Sequence, residues 1–140
     1  MAITRAIAVL ALVTSIGAPT GWSADKPEDA AQAAAESWLS LVDSGDYDAS
    51  WDAAAKLFQQ AVTKEQWKQA ASAARGPLGT LVSRKVKSRE YKEQVPGAPD
   101  GKYVILQYDS AFENKASAVE TIVPMVDPDG AWRVSGYFVR

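Results

Sequence analysis

Cysteine and histidine are both missing from the 140 residues. Without cysteine there are no disulfides and no thiol nucleophile. Without histidine there is no imidazole base, and the two absences together remove the usual zinc and haem ligand sets. Neither sign of charge dominates, with 15 Lys plus Arg against 17 Asp plus Glu, so a nucleic-acid footprint has no support and no nucleic-acid partner is expected. What is present, 47% hydrophobic and 23% charged residues, is the composition of an ordinary folded protein of one domain. Such a sequence speaks of compartment and architecture; it names no reaction, no cofactor and no metal.

The first 24 residues read as an address. Arg5 is the only charge before Asp25, and Ala6 to Ala18 is an apolar run of 13 residues, AIAVLALVTSIGA. Pro19, Gly21 and the small residues Ser23 and Ala24 follow. A positive start, a short apolar middle and a small-residue exit form the pattern of a secretory signal peptide, cut after Ser23 or Ala24. The run is too short for a span, which needs about 20 apolar residues. Residues 1–24 are thus expected to be a leader and 25–140 a single α+β domain, periplasmic or secreted, with no membrane span after cleavage. Losing Arg5 takes the net charge from −2 to −3.

The remainder divides by pattern. Residues 27–75 are alanine-rich with apolar positions at helical spacing, and predict three helices. The first starts at Pro27, with Glu28 and Asp29 at the positive end of its dipole, and stops at Gly45. The second runs from Tyr47 to Phe58, and the third opens on the Thr63-x-x-Gln66 capping box and stops at Gly76-Pro77. Beyond Pro77 the apolar positions alternate, predicting strands at 79–94, 102–113, 116–127 and 131–139 joined by short turns, hence an antiparallel meander. A two-residue turn at Asn114-Lys115 sets Leu106 opposite Val123, and the Asp127–Gly130 turn sets Val123 opposite Val134 and Val119 opposite Phe138. On that register the face away from the helices carries Tyr103, Ile105, Ile122, Val126 and Tyr137. Apolar side chains there point to a partner, either a second copy forming a homodimer or another protein.

Asp109 and Glu120 form the one arrangement that looks like acid–base chemistry, since the same register sets them opposite each other beside Tyr137. Lys87 is expected near Asp109, which converts the pair to a charge ladder. The basic run RKVKSREYK, 84–92, reads as an edge-protecting strand. Asp127 and Asp129 in a Pro-Gly turn offer too few oxygens for calcium.

The segments AAESWLSLVDSGDYDASWDAAAKLF, KEQWKQAASAARGPLGTLVSRKVKS and FENKASAVETIVPMVDPDGAWRVSGYFVR resemble the bacterial family called domain of unknown function 4019, from about Ala33 to Arg140. The resemblance implies an exported bacterial protein and no established activity. It also implies a curved four-stranded sheet under three helices, as in the nuclear-transport-factor-2-like, or cystatin-like, fold group. That layout can leave an apolar cavity, for which Trp38, Trp51, Trp67, Tyr108, Phe112, Trp132 and Phe138 are the candidate lining, with a small apolar ligand as its occupant. Two functions follow: a non-enzymatic binding or interaction module, or a carboxylate-dependent lyase or isomerase using Asp109 or Glu120.

Overall fold

The structure, a computed structural model, describes residues 26–140, so the expected leader lies outside the described residues. Helix α1 spans Pro27–Asp43 with Pro27 in its first turn, and Gly45 closes it in a left-handed conformation at φ 77°. Asp46 caps α2, Tyr47–Asp52, by accepting from the Ala49 N–H. Helices α3, Lys56–Ala61, and α4, Lys64–Arg75, follow, and a 3₁₀ turn at Gly76–Leu78 leads into the sheet. There are thus four α-helices where three were expected. The predicted helix Tyr47–Phe58 is broken because the Ala55 N–H leaves it to donate to the Val134 carbonyl, at 2.8 Å.

The sheet is a meander in the order β1-β2-β3-β4, all antiparallel: Leu81–Lys92, Tyr103–Phe112, Lys115–Val126 and Trp132–Val139. Its register differs from expectation. The β2–β3 turn falls at Glu113-Asn114, Phe112 pairs with Lys115, and a bulge follows before Ser110 meets Ala118. The net offset of one residue turns every β3 side chain to the other face. Between β3 and β4 a second bulge sits at Val123/Pro124. Proline has no N–H for the ladder, and the Ser135 hydroxyl donates to the Val123 carbonyl there at 2.7 Å.

The helices cover the face carrying Val104, Leu106 and Tyr108 of β2, Ile122 of β3, and Val134 and Tyr137 of β4, all buried in one core with Trp38, Leu39, Phe58 and Trp67. Helix α1 is tied to β1 near both ends, Asp29 to Arg89 at 2.6 Å and Asp43 to Arg84 at 2.8 Å. Among the described residues no helix is long and apolar enough to cross a membrane.

Candidate functional site: a buried ionic network

Glu120 is fully buried beneath the helices. A carboxylate there is costly unless both oxygens find donors. Oε1 accepts from Arg84 Nε at 2.7 Å and Ser110 Oγ at 2.6 Å; Oε2 accepts from Arg84 Nη2 at 3.2 Å and from the Tyr137 hydroxyl in a short hydrogen bond. Arg84 reaches on to Asp43 with Nη1 at 2.8 Å and Nη2 at 2.9 Å. Asp43 also accepts from Arg75 Nη2 at 2.9 Å. The guanidinium of Arg75 stacks on the Phe112 ring, 4.7 Å from its centroid. Two cations and two anions, supplied by α1, α4, β1 and β3, are thereby joined with a hydroxyl from β2 and a phenol from β4. Every strand contributes one group. Arg75 Nε and Nη1 and the Tyr108 hydroxyl are buried with no hydrogen-bond partner among the described residues.

The chemistry of the network is that of held charges. Burial works against the Arg84 cation, but hydrogen bonds and charge from Asp43 and Glu120 overcome it and raise its pKa further. Burial, reinforced by the Glu120 charge, pushes the Tyr137 phenol far above its ordinary value, so it stays protonated and donates. Burial also works to raise Asp43, yet Arg84 and Arg75 outweigh it and hold the carboxyl below its usual 3.8. A depressed folded-state pKa contributes stability that is complete above the unfolded value and lost as pH falls through the folded one. The expected result is that an Asp43→Asn variant is less stable than wild type near pH 7 and that the gap narrows below about pH 4. Urea midpoints for both proteins across that range check it, and a constant gap would contradict it.

The expected acid pair is not formed. Asp109 lies on the outer face, where Lys87 reaches it at 3.9 Å as foreseen, while Glu120 points the other way and stands opposite Tyr108 and Val139. Of the expected outer-face residues, Ile122 and Tyr137 are in the core, and Val126 shares their side of β3, half-buried. The one-residue offset and the Ser135 bulge account for all three. Tyr103 and Ile105 do alternate onto the outer side, but Tyr103 is covered by the β1–β2 connection, its hydroxyl donating to the Pro99 carbonyl at 2.6 Å.

The candidate cavity residues separate. Trp38, Trp67 and Tyr108 are core, and Phe112 is buried under Arg75. Trp38, Trp67, Phe58 and Tyr137 fill the interior with ring centroids 5.0–6.4 Å apart. Trp51 and Trp132 pack at the margin, where Trp132 and Trp38 line an open groove of about 340 Å³ between α1 and β4. Phe138 points outward, 65% exposed. Arg84 and Arg89 of the basic run turn toward helix acids, and Arg133 neutralises Asp127 and Asp129 at 3.0 and 2.8 Å. Among the described residues no group of acids is placed to hold a metal ion.

Sequence reasoning missed Arg75, Arg84, Ser110 and Asp43. The signal available for Arg75 and Asp43 was their position as the last residues of two helices expected to lie on the sheet.

The family model described as Protein of unknown function (DUF4019) matches residues 34–137, and the chain belongs to that family. No curated protein and no solved structure matches the chain.

Proposed function

From membership in a family of unknown function, we propose that this chain is an exported, non-enzymatic interaction module that docks a partner on the outer face of its sheet. The observation that carries the reading is Phe138, a large aromatic 65% exposed on a face that no helix covers, beside Thr121 and Val123, with Met125 further along β3 opposite Arg133. The apolar leader supports export to the periplasm or beyond, and a mature chain beginning at Ala24 or Asp25 is its expected product. Helices followed by a four-stranded meander support placing the domain in the nuclear-transport-factor-2-like, or cystatin-like, fold group.

A carboxylate-dependent lyase or isomerase is the competing reading, and it starts from Glu120, which lies inside the fold. A general base needs a lone pair within reach of the substrate proton. Both Glu120 oxygens already accept from Arg84, Ser110 and Tyr137. Aromatic rings occupy the space such a substrate would take, and the interaction reading is preferred.

Hydroxyl-radical footprinting tests it. Met125 and Phe138 are expected to be oxidised several-fold less in the intact cell envelope than in the purified mature protein at high dilution. Equal oxidation in both would overturn the docking face. Intact mass of the chain recovered from the envelope tests export, and retention of residues 1–23 would count against it.

A further inference from the structure

We propose that the occupant of the outer sheet face is a second copy of this chain, an inference that rests on the interaction reading above. Three observations select a copy of itself over a foreign partner.

The first is the charge pattern. Ile105, Val119, Thr121, Val123, Met125 and Phe138 form the centre of the face and none is charged. The lysines of β1 lie to one side, and two of them are already matched within the chain, Lys87 by Asp109 at 3.9 Å and Lys92 by Glu90 at 3.5 Å. A face built for an acidic partner would leave its cations free. A face neutral at its centre can meet itself about a twofold axis along β3 without opposing like charges there. In that arrangement the β1 lysines sit two strands from the axis, about 10 Å away at the rim.

The second is the state of the edges. Sheets also associate by pairing edge strands, and both edges here are obstructed. β1 carries a bulge at Lys87 and an exposed row of lysines, which discourage pairing. On β4 the Val134 carbonyl is taken by the Ala55 N–H at 2.8 Å. The outer face is what remains.

The third is area. About that axis β2, β3 and β4 overlap the copy while β1 lies outside it, so three strands at about 4.8 Å spacing and about 34 Å long present roughly 490 Å² on each copy, or about 980 Å² in all, the size of a weak or transient interface. A reversible dimer with Phe138 as its aromatic anchor fits that size.

Sedimentation velocity of the mature chain over about 1–300 μM, the window a micromolar dissociation constant requires, is the test. Wild type is expected to pass from monomer to dimer, and Phe138→Glu to weaken association by about tenfold or more with an unchanged circular dichroism spectrum. Val82→Glu, at an exposed site on β1, is expected to dimerise like wild type. The chain lacks cysteine, so a Thr121→Cys variant gives a clean second measurement. With sheets about 10 Å apart, it is expected to be joined to its copy across the axis by a short bis-maleimide that adds to both thiols, whereas Val82→Cys is not. Wild type that stays monomeric throughout, or Phe138→Glu that dimerises undiminished, overturns the second-copy assignment. A strict monomer whose Met125 is still protected in the envelope leaves the interaction reading standing with a foreign partner. A strict monomer without that protection removes both.

Discussion

Replacing Glu120 with alanine is expected to cost about 3–5 kcal/mol of folding stability, the range for removing one partner of a buried ion pair. That is a large part of the 5–15 kcal/mol a domain typically has. The cause is what the substitution leaves behind. Arg84 is 12% exposed and keeps only Asp43, itself shared with Arg75, while the Ser110 and Tyr137 hydroxyls lose their acceptor beneath the helices. The strain on the fold therefore comes from uncompensated donors rather than from lost volume. An Arg84→Met, Glu120→Leu double variant discriminates the two, since it removes both charges and leaves Asp43 paired with Arg75. It is expected to be more stable than the Glu120→Ala single variant. Urea unfolding of the three proteins is the measurement. A Glu120→Ala cost below about 1 kcal/mol would mean that water reaches the carboxylate, and that the network is not the closed core described.

The position of Glu120 is also where sequence reasoning went astray, and the reasons are local. Alternation correctly gave β2 its inner face, Val104, Leu106, Tyr108 and Phe112, because that strand is regular from Tyr103 to Ser110. For β3 the inner face depended on the hairpin, and the turn falls one residue earlier than Asn114-Lys115, with a bulge that compensates only in part. Composition cannot resolve such a slip, because Val119, Val123 and Met125 are as apolar as Ala118, Ile122 and Pro124. The β4 bulge was more legible. Pro124 inside a strand and Gly136, which pairs with the preceding Val123, both signal an interrupted ladder, and that bulge is what brings Tyr137 inward and turns Phe138 out. The Thr63–Gln66 capping box formed as read, with both reciprocal bonds present at 3.0 and 3.1 Å. Capping is a contact within four residues, and sequence carries it whole. The break at Ala55 is tertiary: an alanine-rich run with high helix propensity yields to one hydrogen bond from β4, which nothing nearby in the chain announces.

Trp38→Ala is expected to cost about 3–5 kcal/mol, as for deletion of a large buried aromatic. Trp38 is 2% exposed and stands amid Phe58, Trp67 and Tyr137, with ring centroids at 6.3, 5.7 and 5.5 Å. Its indole N–H donates to the Ser50 carbonyl at 2.8 Å, and Trp67 donates to the hydroxyl of the same serine at 2.9 Å, so the deletion also loosens α2 from α1 and α4. The neighbouring rings come from α3, α4 and β4 and cannot collapse together into the space without moving those elements. Phe138→Ala makes the comparison sharp. Exposed and touching no core ring, it is expected to stay within about 0.5 kcal/mol of wild type in unfolding. The two aromatics, equivalent in a list of apolar residues, then report opposite things: one is felt in folding and not in association, the other in association and not in folding. Urea midpoints at a concentration low enough to keep the protein monomeric separate them. Should Trp38→Ala cost less than about 1.5 kcal/mol, the rings would not be close-packed, and an apolar ligand between helices and sheet would become the better account of them.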